Sequence, residues 1–150
     1  AEAAHRFHAL PVADCPFSAR LDVQIEAARH NVENGLVRTD LLEPQWQNET
    51  PPSLFQKLLA LKPASEDLVV VHGDLYPFNI RAHPTDKTLL GYIDVGAAGV
   101  GDRYTDLAVI VNALTWHLGT EALEPFFRAY GIETVDTHKL QFYQLLNEFF

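Results

Sequence analysis

Residues 68–80 read Leu-Val-Val-Val-His-Gly-Asp-Leu-Tyr-Pro-Phe-Asn-Ile. The run from Leu68 to Val71 is uncharged and β-branched, the composition of a short buried strand. His72-Gly73-Asp74 ends it abruptly. Asn79-Ile80-Arg81-Ala82 then reads as a second strand. His83-Pro84-Thr85-Asp86-Lys87 reads as a turn and Thr88 to Ile93 as the return strand, which closes on Asp94-Val95-Gly96. Asp74 and Asn79 therefore flank one loop and Asp94 ends the return strand. That arrangement brings three oxygen-bearing side chains to one edge.

Outward from this hairpin the pattern turns helical. Ala1 to Phe7 reads like the end of a helix, and Pro11 and Pro16 mark a loop. Ser18 is expected to cap a helix running toward Gly35, with Leu21, Ile25, Ala28 and Val32 at helical spacing. Val37 to Pro52 reads as a long acidic loop anchored by Trp46, and Ser53 to Lys62 as a helix stopped by Pro63. Beyond the glycines at 96, 99 and 101, helices are expected over about 103–118, 121–130 and 137–149, with Gly119 and Gly131 as C-terminal caps and Asp136 as an N-cap. The chain thus reads as a single α+β domain, mostly helical, with a small inserted β-hairpin.

Composition narrows the function. The 150 residues carry a net charge of −9, which argues against a nucleic-acid partner and suits a cationic small molecule, although most of the acids read as solvated surface. The apolar runs are too short to span a bilayer, and no signal sequence opens the chain, so no membrane partner is expected. One cysteine, Cys15, excludes an internal disulfide and fits a reducing, cytoplasmic setting. With no methionine the chain reads as a fragment or processed product.

Asp74, four intervening residues, Asn79, and later Asp94-x-Gly96 is the order in which protein kinases place a catalytic aspartate and two magnesium ligands. Phosphoryl transfer asks for that set. A carboxylate orients the attacking hydroxyl, and hard oxygens hold Mg2+ against nucleotide phosphates. Further signatures reinforce the pattern: Cys15-Pro16-Phe17, Gly35-Leu36-Val37, Gly101-Asp102-Arg103-Tyr104-Thr105-Asp106, Tyr130-Gly131-Ile132 and Phe142-Tyr143. From about Pro11 to Phe150 the chain resembles the C-terminal lobe of aminoglycoside phosphotransferases, especially the 3′ group. The resemblance implies the large lobe of the protein-kinase-like fold and ATP as co-substrate with Mg2+. It assigns Asp74 as catalytic residue, Asn79 and Asp94 as metal ligands, and His72 and Asp106 as supports of the loop. Asp102 is left between bracing and catalysis. The remaining histidines, His8 among them, read as surface or core residues.

Two departures temper that implication. Before His72 there is one glycine, Gly35, and only Lys57 and Lys62, both on an expected helix, so no N-terminal nucleotide-clamping lobe is visible. The chain alone is accordingly expected to be inactive. The acceptor pocket also reads as less acidic than the family's. Asn147, Glu148 and Phe150 stand at the C-terminus, and Gln47 with Glu49 follows Trp46, as the substrate-binding candidates. Ala97 and Asn112 occupy frequent arginine positions, and Trp116-His117 replaces an acidic pair. Other readings stay open: a kinase of choline, homoserine or a sugar, a non-catalytic ligand-binding lobe, or a metal-dependent hydrolase using His72, Asp74 and Asp94.

Overall fold

The computed structural model describes all residues, Ala1–Phe150. In chain order its elements are α1 (Glu2–His8), α2 (Leu21–Glu33), α3 (Pro51–Ala60), β1 (Leu68–Val71), β2 (Ile80–Ala82), β3 (Leu89–Tyr92), β4 (Gly99–Asp102), α4 (Tyr104–Leu118), α5 (Leu123–Tyr130) and α6 (Thr137–Asn147). The expected hairpin forms as β2 against β3, antiparallel, with Ile80 opposite Tyr92. The strand β1 pairs instead with β4, Leu68 opposite Asp102 and Val71 opposite Gly99. The α+β, mostly helical architecture is as expected, with two small antiparallel sheets in place of one hairpin.

Strand β4 went unanticipated because glycines disfavour strands. Close approach is the reason they are there. A Cβ on Gly99 would lie 2.8 Å from the Ala19 amide nitrogen, and one on Gly101 would strike the Ala19 carbonyl. Ser18 and Ala19 run beside this strand, with the Ala19 N–H donating to Val100 O at 2.9 Å. Ser18 is therefore not the cap of α2. That helix starts at Leu21, whose N–H donates to Glu66 Oε1 at 2.8 Å, a cap supplied from far along the chain. The other helix signals were local. Thr50 caps α3 with Pro51 and Pro52 in its first turn, and Asp136 caps α6.

Helix α4 lies at the centre, with Leu107, Ala108, Ile110 and Val111 in the core beside Phe142, Leu145 and Leu146 of α6. Fully burying one such side chain contributes about 1.5–3 kcal/mol. Leu54 and Leu58 of α3 and the last aromatic but one, Phe149, complete this core. Phe150 lies beyond the end of α6, leaves the core and is 60% exposed. Two carboxylates are buried at the N-terminal end of α4. Asp102 takes the structural role. It accepts from Lys139 Nζ at 2.6 Å, from Asp67 N–H at 3.0 Å and from Tyr104 N–H at 2.9 Å, tying β4 to α4 and α6. The other, Asp106, faces the loop after β1.

Candidate active site

The segment from His72 to Asn79 is held from below. The buried Asp106 carboxylate accepts from His72 N–H at 2.7 Å and Gly73 N–H at 2.8 Å. A carboxylate only accepts, so the 2.9 Å contact with His8 Nε2 is a donation from that ring, while His8 Nδ1 faces the Tyr130 hydroxyl at 2.6 Å. His8 is thus a buried core histidine. It lies 98 residues from Asp106 in the chain, and no local spacing signals that partnership.

His72 is fully buried, and both ring nitrogens are spent within the fold. Nε2 donates to Ile93 O at 2.9 Å, and Nδ1 accepts from Asp74 N–H at 3.3 Å. It has no lone pair left for a metal, which removes one ligand from the hydrolase reading. The loop is closed further along, where Asn79 Nδ2 donates to Asp74 O at 2.9 Å and to Asp74 Oδ2 at 3.2 Å. The Asn79 amide orientation leaves its Oδ1 uncommitted. The Ile93 N–H in turn donates to Asn79 O at 3.0 Å, which ties the β3 end to the loop. The next residue, Asp94, has left-handed backbone (φ 60°), an exposed side chain and no hydrogen-bonded partner. Asp74, Asn79 and Asp94 thus sit on two segments joined by backbone hydrogen bonds.

Gly73 makes this geometry possible. Its φ is +90°, and a Cβ there would lie 2.5 Å from Ala97 O and 2.6 Å from Ala97 Cβ. Gly73→Ala must therefore push the Asp74 loop and the segment after Asp94 apart. The expected cost is about 2 kcal/mol or more, from the strained φ and the clash together. It should be read in a thermal melt, with displaced amide resonances for 72–75 and 94–98. A melt unchanged within about 0.5 kcal/mol would show that the loop relaxes freely.

Asp74 opens onto a cleft of about 580 Å3 between α2 and α6. Asn147 and Phe150 line the same cleft, so three of the sequence-predicted residues meet there. Glu148 borders a smaller pocket of about 160 Å3 with Glu43, Asn112 and Phe150. Its carboxylate accepts from Glu43 N–H at 3.0 Å, and burial pushes its pKa above the ordinary carboxylate value. Gln47 and Glu49 line neither space. Gln47 Nε2 donates to Leu42 O at 3.4 Å. Glu49 pairs with Lys57 and accepts from Ser53 Oγ at 2.8 Å, bonds that hold its carboxyl below the usual range. Glu49 thereby braces α3, and Gln47 the loop before it.

Known proteins resemble this chain in sequence and fold. The chain is 44% identical over its whole length to an aminoglycoside 3'-phosphotransferase of Streptomyces fradiae, of which it spans 58%. It is 38% identical over 95% of its length to a streptomycin 3''-kinase of Streptomyces griseus, spanning 56% of it. Among solved structures, an aminoglycoside phosphotransferase of Streptomyces rimosus in complex with ADP and streptomycin superposes with a TM-score of 0.88 at 31% identity, over 99% of this chain and 59% of that one. The chain therefore spans little more than half the length of the proteins it matches. The model of the phosphotransferase enzyme family matches residues 1–143, and the chain belongs to that family.

Proposed function

We propose that this chain is the acceptor-binding and metal-binding lobe of a phosphotransferase that moves the γ-phosphate of ATP to a hydroxyl of a small cationic molecule, an aminoglycoside. The observation that carries this reading is Asp74, exposed on the cleft wall and fastened by Asn79 while Asp106 braces the backbone beneath it. The printed names of the relatives, and the neighbour bound to ADP and streptomycin, support the choice of nucleotide and acceptor. In this reading Asp74 accepts the acceptor hydroxyl's proton or orients the hydroxyl for in-line attack.

The residues present fit a magnesium ion. Asn79 offers its amide oxygen, because the amide nitrogen is spent on Asp74, and Asp94 offers an unpartnered carboxylate. No cluster of three or more His, Cys, Asp or Glu side chains could hold a metal unaided. Two hard oxygens without a closed protein cage suit Mg2+, which keeps waters and takes phosphate oxygens for its other positions. Such an ion supplies charge neutralisation on the transferring phosphate. The nucleotide-clamping groups belong, in this proposal, to the part of the protein that the matched relatives have beyond this stretch.

The test is turnover by the longer protein with ATP, Mg2+ and kanamycin, followed by ADP release and by the mass of the phosphorylated product. The 150-residue chain alone is expected to give none. Nucleotide-independent hydrolysis, or phosphorylation confined to choline, homoserine or a simple sugar, would overturn the aminoglycoside assignment.

A further inference from the structure

The loop that carries Asp74 is fastened at a second place, away from its buried base. Within the loop, Tyr76 N–H donates to Asp74 O and Asn79 N–H to Tyr76 O, both at 2.8 Å. These bonds fix its shape but not its place. Asp106 holds the start of the loop, and Leu75, fully buried, pins its inner side. From Asp74 to Phe78 one hydrogen bond reaches a distant part of the chain. Tyr76 Oη meets His117 Nε2 at 2.5 Å, across 41 residues.

His117 stands in the last turn of α4, and Asp106 in the first turn of the same helix. The helix that braces the loop's backbone from below therefore also holds its outer edge through a side chain. The imidazole packs on both aromatic rings of the loop as well, with centroids 6.1 Å from Tyr76 and 6.3 Å from Phe78. Those two rings are 5.5 Å apart. A phenol hydroxyl both donates and accepts, so either imidazole tautomer completes the bond to Tyr76. His117 is exposed and Tyr76 half-buried, so the contact adds little to the core. Its consequence lies in where the loop, and Asp74 with it, comes to rest.

We propose that Tyr76 and His117 are positioning residues: their hydrogen bond fixes the outer edge of the Asp74 loop on α4 and so sets the reach of the Asp74 carboxylate toward the acceptor hydroxyl. The inference rests on the phosphotransferase reading, in which Asp74 serves that hydroxyl. Phosphoryl transfer leaves the protein chiefly positioning work, and a misplacement of about 1 Å costs as much as a hundredfold in rate. Tyr76 and His117 act through Asp74 and touch no reacting atom.

In the isotope-labelled 150-residue chain, Tyr76→Phe should shift the His117 Nε2 resonance and raise the mobility of the amides of Tyr76, Phe78 and Asn79. Those of His72 and Gly73 should stay as they are, and melting should stay within about 2 °C of the parent. In the longer protein, with ATP, Mg2+ and kanamycin, Tyr76→Phe and His117→Phe should each lower kcat about tenfold, with KM for the acceptor changed less than about threefold. The double substitution should be no worse than either single one, because both break one bond. His117→Gln, whose amide can also bond the Tyr76 hydroxyl, should recover most of the rate. An unmoved His117 resonance in Tyr76→Phe, turnover unchanged in both Phe variants, additive losses in the double variant, or a loss confined to KM would each overturn the proposal. A parent without turnover would instead sink the phosphotransferase reading, whereas the His117 resonance decides the tether without nucleotide or acceptor.

Discussion

Asparagine in place of Asp74 should lower kcat of the longer protein about a thousandfold, equivalent to about 4 kcal/mol in the barrier. The side chain is exposed, and its one side-chain partner, Asn79 Nδ2 at 3.2 Å, is a donor that an asparagine oxygen still satisfies. Its backbone bonds, from Tyr76 N–H and Asn79 Nδ2 to the Asp74 carbonyl, do not involve the carboxyl at all. The substitution therefore removes a base without removing a support. Melting should stay within about 0.5 kcal/mol of the parent. Saturating ATP and aminoglycoside isolate the chemical step, and KM for the acceptor should move far less than kcat. Turnover within threefold of the parent would strip Asp74 of the proposed role. A large fall in stability alongside the fall in rate would instead make it a structural residue.

What the sequence made legible and what it hid divide along one physical line. Local signals were readable. The β-branched run 68–71 became a strand, the 79–93 hairpin formed, and the Asp136 cap and the Gly131 turn sit where their residue types predict. Partners distant in the chain were not readable. Glu66 caps α2 in place of Ser18, glycines 99 and 101 make a strand because Ala19 presses against them, and His8 reaches Asp106 across the fold. The acceptor candidates suffered the same way. Asn147 and Phe150 reached the cleft, since a helix end carries them there, whereas Gln47 and Glu49 lie on a loop whose direction no periodicity encodes.

Asp106→Asn is the substitution expected to cost the fold most, about 3 kcal/mol or more, which corresponds to a melting temperature lower by roughly 6–12 °C. Three donors converge on this buried carboxylate: the His72 and Gly73 amides and His8 Nε2. Two oxygens accommodate them. An asparagine has a single acceptor oxygen, and its NH2 group would point at whichever donor that oxygen leaves over. One buried N–H then loses its partner and faces another donor, and a buried group left unpaired costs about 1–3 kcal/mol by itself. The damage should be local as well as global. The amides of His72 and Gly73, expected to exchange slowly in the parent, should exchange much faster, because their acceptor anchors the loop to α4. His8→Leu should reproduce part of the loss by removing one of the three donors. The double substitution should fall short of the sum, since both residues act through one network. An Asp106→Asn chain that melts within about 2 °C of the parent, with the 72 and 73 amides still protected, would mean that the loop holds its shape without the carboxylate.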